Sequence, residues 1–377
     1  MNDAAIRAHL DRAVRLAARG HGGVEPNPMV GCVIVSARGD TIAQGYHRRC
    51  GEAHAEIEAL NAAGTRARGA TAIVTLEPCA HRGRTGPCCD ALLAAGITQL
   101  IYAVADPNAI AQGGAARLRA AGMIVRHFPH ALASELTLPF RKRVATKLPW
   151  ITAKWAQSID GAIALASGES QWISGARSRA MVHRERGRVD AILTGIGTVL
   201  ADNPRLTVRN ARAMRTPWRI VFDPDAQLPL TAHLCDNSAP TVILVRARRE
   251  ATHDQEFDER VAALARVGVR AMELGAQDTL TDCMRALAAS GIANVMVESG
   301  GGVIARLLRE DLLDEAFVFI APFLVGDDDA ARGVRKLNPQ VLADIPRARS
   351  LAARMRGADV LLHYRWRQQD EYHALRE

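Results

Sequence analysis

Lysine is nearly missing from this 377-residue chain: Lys142, Lys147, Lys154 and Lys336 are the only ones, so arginine carries the surplus of 48 Lys+Arg over 40 Asp+Glu. The net charge of +8 has no long basic run behind it, and Arg209, Arg212 and Arg215 form just one short cluster. This pattern argues against nucleic acid as a partner and for small phosphorylated ligands. Aromatic residues are sparse, at 4%. No stretch approaches the roughly 18 uncharged apolar residues that a membrane span needs, so no membrane association is expected. The N-terminus lacks an apolar segment followed by a small-residue cleavage site, and Asp3 and Asp11 argue against a transit peptide, so the expected location is cytoplasmic. The seven cysteines are odd in number, which does not suit a secreted disulfide framework. Five of them, Cys32, Cys50, Cys79, Cys88 and Cys89, crowd into the first 89 residues, which favours metal binding or catalysis there. Cys235 and Cys283 read as buried, inert thiols.

What the sequence does contain is enough apolar material, 48%, for ordinary cores, and a length that suits two domains. An amphipathic helix is expected over the first 20 residues, with Ile6, Leu10, Val14 and Ala17 on one stripe. A hairpin follows, from Val30–Val35 and Thr41–Tyr46, and then helices and strands alternate as far as Phe128, which implies a sheet covered on both faces. The charged, weakly periodic segment FRKRVATKLP, Phe140–Pro149, reads as the boundary, giving domains 1–146 and 147–377. Strands beyond it are expected at Trp150–Trp155, Asp190–Thr194, Arg219–Asp223, Thr241–Val245, Asn294–Glu298, Ala316–Ala321 and Val360–Trp366, with a polar helix over Ala176–Gly187.

The strongest chemical signal is His54-Ala55-Glu56 followed by Pro78-Cys79 and Cys88. Zinc deaminases carry an H-x-E and P-C-x-x-C pattern of this kind. One imidazole and two thiolates leave one tetrahedral corner open for water, whose pKa zinc lowers towards ~7. A carboxylate beside the metal then moves protons, and Glu56 is placed for that work. Residues two apart cannot share a mid-helix face, so His54 and Glu56 converge only if a helix begins near Glu52–His54. Cys88 belongs in the first turn of the next helix, where the dipole favours a thiolate. The residues alone leave open a closed structural site with His81 or Cys89 as fourth ligand, although Glu56 would then have no task.

In the second half, Thr194-Gly195-Ile196-Gly197-Thr198 is a weak dinucleotide fingerprint, because its third glycine is replaced by Leu200 and no helix clearly follows. VMVESGGG, Val295–Gly302, is the better candidate: an apolar strand, Glu298, three glycines and a helix from about Val303 form an anion cradle.

These motifs together carry a specific resemblance. PNPMVGCVIV, GYH, HAE, TLEPCAHRGRTGPC and ADPN resemble the deaminase half of the bifunctional riboflavin-biosynthesis deaminase/reductases. The eight-residue gap between Cys79 and Cys88, where most cytidine and tRNA deaminases have two, singles out that family. KWAQSIDG, GESQWIS, ILTGIGTVLADNPRLTVR and VESGGG resemble its reductase half. The resemblance implies a cytidine-deaminase-like α/β/α sandwich followed by a dihydrofolate-reductase-like α/β domain. It implies Zn2+ held by His54, Cys79 and Cys88, with Glu56 catalytic. The implied substrate is 2,5-diamino-6-ribosylamino-4(3H)-pyrimidinone 5′-phosphate, contacted by Asn27, His47, Arg84, Thr85 and Asn108. Deamination would be followed by NADPH-dependent reduction of the ribosyl chain to 5-amino-6-ribitylamino-uracil 5′-phosphate.

Cofactor contacts are implied at Gln157, Trp172, Thr198, Asp202, Gly300, Gly301, Gly302, Val303, Ile304, Ala305 and Arg306. Substrate contacts in the reductase are implied at Ser170, Arg186, Leu206, Arg209 and Glu298, with Arg186 and Arg209 suited to the phosphate. Lys154 or Asp202 is expected to assist proton transfer. Trp172 either stacks on a ring or packs under its loop, and in so aromatic-poor a chain contact is the expectation. Departures from the family pattern are Gly86, Ile159, Asn203 and Ser299, the last because its side chain could crowd the phosphates. Two sites acting in succession make a homo-oligomer useful, so one is expected.

Overall fold

The computed structural model describes residues 1–81, 86–247, 255–275 and 279–367. The chain divides into two compact units, Met1–Thr146 and a second that begins at Lys147.

The first unit opens with α1 (Asp3–Ala17), whose first turn is capped by Asn2 Oδ1 accepting from Ala5 N at 2.9 Å. Its apolar stripe, Ile6, Leu10, Ala13 and Ala17, is buried. Next come β1 (Gly31–Val35), β2 (Thr41–Tyr46), α2 (Ala55–Ala63), β3 (Thr71–Val74), α3 (Cys88–Ala94), β4 (Gln99–Tyr102), α4 (Gly114–Ala120), β5 (Ile124–His127) and α5 (Ala131–Thr146). The sheet order is β2-β1-β3-β4-β5; the first two pairings are antiparallel and the last two parallel. All five residues of β1 are buried, as a central strand covered on both faces requires. A side chain at Gly31 would strike the Ala13 carbonyl of α1. A Cβ at Gly45 of β2 would lie 2.5 Å from Ala55 O and from Ala59 N of α2. These close approaches bring α1 and α2 down onto the strands.

The expected boundary segment is helical for most of its length. α5 runs to Thr146, Lys147 turns the chain at φ 60°, and β6 starts at Trp150. Its periodicity is obscured because Arg141 and Lys142 are buried in the helix and Pro139 lies inside it. Charged residues at core positions break the apolar pattern that marks a helix.

The second unit contains β6 (Trp150–Gln157), β7 (Ala162–Ala164), α6 (Ala176–Arg186), β8 (Ala191–Gly195), α7 (Ile196–Asp202), β9 (Trp218–Phe222), β10 (Thr241–Val245), α8 (Gln255–Arg266) and β11 (Val269–Glu273). It continues with α9 (Leu280–Ala289), β12 (Asn294–Val297), α10 (Gly301–Arg309), β13 (Glu315–Ile320), β14 (Ala331–Arg332), β15 (Ser350–Arg356) and β16 (Asp359–Arg365). The main sheet has nine strands in the order β11-β10-β9-β8-β12-β6-β13-β16-β15. It is parallel from β11 to β13, with an antiparallel hairpin, β16 and β15, on one edge. β12 inserts between β8 and β6, so the strand order switches there. Such a switch opens a crevice at the carboxyl ends of the strands, which is where open parallel sheets bind ligands. Among the described residues no helix is long and apolar enough to cross a membrane.

Candidate active sites

In the first unit, His54 is the N-cap of α2 and Glu56 lies in its first turn. The helix therefore starts where both side chains can turn towards one point. Cys79 follows β3, and Cys88 is the first residue of α3. His54 Nδ1 is 3.3 Å from Cys88 Sγ and 3.7 Å from Cys79 Sγ, and Cys88 N–H donates to Cys79 Sγ at 3.4 Å. One donor atom from each of the three residues lies within 4.8 Å of the others. Among the described residues these three form the one such group. Cys89 does not join them, because its buried Sγ–H points to Pro78 O at 3.7 Å and burial pushes its pKa up to about 12. Cys50 is exposed.

The electrostatics of the two thiols test whether a cation belongs there. The Cys88 thiol beside it, helped by His54 and the Cys88 N–H, pulls the Cys79 pKa down to about 4. Cys88 is held well above its usual value by the same shared bond and by burial. Their shared hydrogen bond and burial oppose ionisation of both thiols together. Ionising both thiols needs a divalent cation between them, so two sulfurs and an imidazole suit zinc.

Glu56 is 3% exposed. Burial raises its pKa, opposed by His54 and by a hydrogen bond with Cys88. Above these groups opens a cavity of about 380 Å³, whose lining includes Asn27, His47, His81, Asp106 and Asn108. His47 Nδ1 lies 3.0 Å from Ala53 O and its Nε2 lies 3.2 Å from Asn27 Nδ2. Those partners assign the proton to Nδ1 and make Nε2 the acceptor. Burial lowers the pKa of His47, which keeps the ring neutral. Arg84 and Thr85 lie outside the described residues.

Among the lining residues not singled out as site residues from sequence are Glu77, Asp106, Phe140 and Arg143. Glu77 and Asp106 stand inside the quoted motifs LEPC and ADPN. Glu77 accepts from Ala115 N at 2.9 Å and Asp106 N at 3.2 Å, holding the β4–α4 loop against the cavity. Phe140 and Arg143 fall in the segment read as a boundary, so no signal pointed to them.

In the second unit, Glu298 follows β12, and Arg186 closes α6. Arg186 grips Glu298 through Nε at 2.5 Å and Nη2 at 3.0 Å, and donates through Nη1 to Thr207 O at 3.0 Å. Lys154 Nζ stands 3.6 Å from Glu298. Burial alone would raise the Glu298 pKa, but Arg186 and Lys154 outweigh it and hold it at about 2. This differs from the expectation that Arg186 presents an open fork to phosphate, since its guanidinium is occupied by protein acceptors. Arg209 is exposed, and its backbone N–H donates to His183 Nδ1 at 3.2 Å. Partial burial and the nearby Arg186 and Arg205 lower the pKa of Arg209, the mark of clustered positive charge. His183, missed in the sequence, sits in the middle of this group.

A helix does follow the Gly195–Thr198 run, contrary to expectation: α7 starts at Ile196 with Gly195 as N-cap. α10 starts at Gly301 with Gly300 as N-cap, and Gly300 N–H donates to Thr198 Oγ1 at 3.1 Å. The two helix starts thus meet. A Cβ at Gly195 would lie 3.0 Å from Ser299 Oγ, so the missing side chain gives Ser299 its room. A Cβ at Gly301 would lie 2.7 Å from Arg332 O and Arg335 N, whereas one at Gly302 would meet open space. The N–H groups of Gly301, Gly302 and Val303 have no partner within the helix. Ile304 and Ala305 are fully buried, with N–H groups inside the helical ladder, so they support the cradle rather than face it. Arg306 bonds Glu310 at 2.9 Å and stacks over Phe222. Ser170 Oγ donates to Asp202 Oδ1 at 3.1 Å, and Gln157 Oε1 accepts from Trp155 Nε1 at 2.7 Å. Leu206 is buried with φ 48°. Trp172 is 67% exposed with the Arg179 guanidinium 4.6 Å from its ring centre, so it does not pack under its loop.

These geometries define a deaminase-type zinc site in one α/β unit and an anion-binding helix start in the other. Residues 4–104 match the cytidine and deoxycytidylate deaminase zinc-binding region, and residues 149–362 match the RibD C-terminal domain. The chain is 40% identical over 370 residues to the riboflavin biosynthesis protein RibD of Escherichia coli, covering 94% of this chain and 98% of that protein. The Aquifex aeolicus RibD is 37% identical over 322 residues, covering 85% and 87%. An Acinetobacter baumannii RibD structure superposes with a TM-score of 0.82 at 35% identity, covering 97% of this chain and 99% of that one. A Thermotoga maritima structure, a diaminohydroxyphosphoribosylaminopyrimidine deaminase/5-amino-6-(5-phosphoribosylamino)uracil reductase, does so with 0.81 at 30%, covering 96% and 99%. The chain belongs to the RibD family of bifunctional deaminase/reductases of riboflavin biosynthesis, and its two units carry those two activities.

Proposed function

We propose that the first unit deaminates 2,5-diamino-6-ribosylamino-4(3H)-pyrimidinone 5′-phosphate. The second unit then reduces the ribosyl chain with NADPH to give 5-amino-6-ribitylamino-uracil 5′-phosphate. The observation that carries this reading is the group of three zinc donors with buried Glu56 at the base of a cavity of about 380 Å³.

Zinc held by His54, Cys79 and Cys88 supplies the polarisation that makes water nucleophilic at neutral pH. Glu56 takes a proton from the attacking water and gives it to the ring nitrogen, then serves the departing amino group, so that ammonia leaves and a carbonyl remains. Burial, which raises the Glu56 pKa, suits it to hold a proton between those transfers. Neutral His47 fixes the Asn27 amide, and Asn27 and Asn108 orient the donor-rich pyrimidine. The family resemblance adds Arg84 and Thr85 as substrate contacts, Arg84 being suited to the phosphate.

In the second unit, NADPH supplies the two electrons for C1′ of the opened ribose. The N–H groups at the start of α10, which have no acceptor within the helix, would receive its diphosphate. Thr198, which accepts from Gly300 N–H, borders that cradle; Gln157 and Asp202 are assigned to the cofactor by the family resemblance, and Trp172 offers an exposed ring face for stacking. Arg209 takes the substrate phosphate, together with Ser170 and the Leu206 turn, while Arg186 steadies Glu298 and the Thr207 carbonyl. Lys154, beside Glu298 and the cluster around Arg209, serves as the proton source for the reduced carbon's oxygen or nitrogen partner, with Asp202, which accepts from Ser170, as the alternative. A cytoplasmic, homo-oligomeric enzyme completes the reading; the seven free cysteines accord with a reducing compartment. The test is ammonia release and NADPH oxidation by the purified protein on the diaminopyrimidine phosphate. Ammonia without NADPH oxidation, or neither, would refute the scheme.

A further inference from the structure

Asp160 belongs to neither set of contacts, yet it gathers more hydrogen bonds than any ordinary turn needs. Its carboxylate accepts from Ser158 Oγ at 2.5 Å, from Val325 N at 3.1 Å and from Gly326 N at 2.8 Å. Its carbonyl accepts from the Arg332 guanidinium. The neighbouring Ile159 N–H donates to Phe323 O at 2.9 Å. Together these bonds hold the Phe323–Arg332 segment to the β6–β7 turn, and the pairing of β14 with β7 closes the same loop.

The held segment continues directly onto the glycine cradle. Arg335 N–H donates to Gly301 O at 3.3 Å. A Cβ at Gly301 would lie 2.7 Å from Arg332 O and 3.0 Å from Val334 C, and a Cβ at Gly333 would lie 2.5 Å from Trp155 Nε1. Chain 332–335 is therefore wedged between the first turn of α10 and Trp155 of β6, with glycine at both points of contact. Trp155 in turn donates to Gln157. One carboxylate thus anchors a strap that touches the helix start and, through Trp155, the Gln157 side chain.

We propose that Asp160 is a positioning residue of the reductase, a clamp that fixes the 323–335 strap and so sets where the N–H groups at the start of α10 point. It acts on the cofactor through the strap and not by contact. The proposal rests on the reading that this cradle binds NADPH. Anion recognition by backbone N–H groups depends on their placement, and small misplacements are costly.

The experiment uses the full-length protein with Asp160→Ala and Asp160→Asn, measuring the NADPH KM and kcat of reduction, NADPH binding by equilibrium dialysis, and ammonia release. Asp160→Ala is expected to raise the NADPH KM and dissociation constant on the order of tenfold, with kcat nearly unchanged and ammonia release intact. Asp160→Asn, which keeps one acceptor oxygen, is expected to fall between Asp160→Ala and the parent. Deamination reports on the first unit, and an unchanged kcat of reduction at saturating NADPH reports on folding of the second. An unchanged NADPH KM in Asp160→Ala, a fall in kcat with KM constant, or a parallel loss of ammonia release each overturns the proposal. A parent protein that binds no NADPH sinks the cofactor reading and this proposal with it. Equal binding by parent and Asp160→Ala sinks this proposal alone.

Discussion

Replacing Glu56 by Gln isolates the proton transfers from the metal. The side chain is 3% exposed and hydrogen-bonded to Cys88. An amide of the same shape fills the same space, so His54, Cys79 and Cys88 should keep their positions and their zinc. Three other carboxylates line the cavity, Glu52, Glu77 and Asp106, and Glu52 is exposed. Glu77 gives both oxygens to backbone N–H groups, and one oxygen of Asp106 accepts from Asn108 N. Positioned general acid–base catalysis contributes ~10²–10⁴ in rate, and here one group serves both transfers. Ammonia release should therefore fall by at least about a thousandfold, roughly 4 kcal/mol of barrier. Zinc content, by atomic absorption, and NADPH oxidation with the deaminated substrate should both match the parent. Ammonia release within tenfold of the parent would refute the role given to Glu56, and loss of zinc would show that the carboxylate is a ligand.

Cys88→Ser should lose zinc, whereas Cys89→Ser, whose thiol faces Pro78 O, should retain it; equal loss, measured by metal analysis, contradicts the assignment. Gly301→Val forces a Cβ to within 2.7 Å of Arg332 O and should lower the thermal stability of the second unit, while Gly302→Ala, with open space around it, should fold normally and still bind NADPH more weakly. Unimpaired NADPH binding by Gly302→Ala would remove the cradle from the cofactor site. Glu298, at about 2 when folded against an ordinary 4.5, adds stability that is complete above the unfolded pKa and is lost as pH falls through the folded one. A shift of that size is worth about 3 kcal/mol, so Glu298→Gln should flatten the acid-unfolding profile between pH 4.5 and 2. A profile of unchanged slope there would show that the Arg186–Glu298 pair does not act as described.

The first unit was legible wherever apolar periodicity and function coincide. The buried stripe of α1, the β1–β2 hairpin and the His54, Cys79, Cys88 convergence all follow from spacing, because a ligand set must sit at element ends that the sequence already marks. α5 was hidden by its own chemistry: buried Arg141 and Lys142 and an internal proline look like a linker. Phe140 and Arg143, which line the cavity, were hidden with it. In the second unit the glycine run marked the cradle, but its neighbours could not be read from sequence. The strap at 332–335, His183 against Arg209, and the commitment of Arg186 to Glu298 are contacts between distant segments. Ser299 illustrates the limit. A side chain among glycines suggests crowding, and only the empty position at Gly195, about a hundred residues away, shows where it goes.

The central claim is that His54, Cys79 and Cys88 hold zinc with one corner left for solvent. X-ray absorption at the zinc edge on the purified protein tests it most directly. The expected shell is two sulfurs at about 2.3 Å, one imidazole nitrogen and one light atom that exchangeable ligands displace. A third sulfur or a second imidazole, from Cys89 or His81, would close the corner and contradict the account.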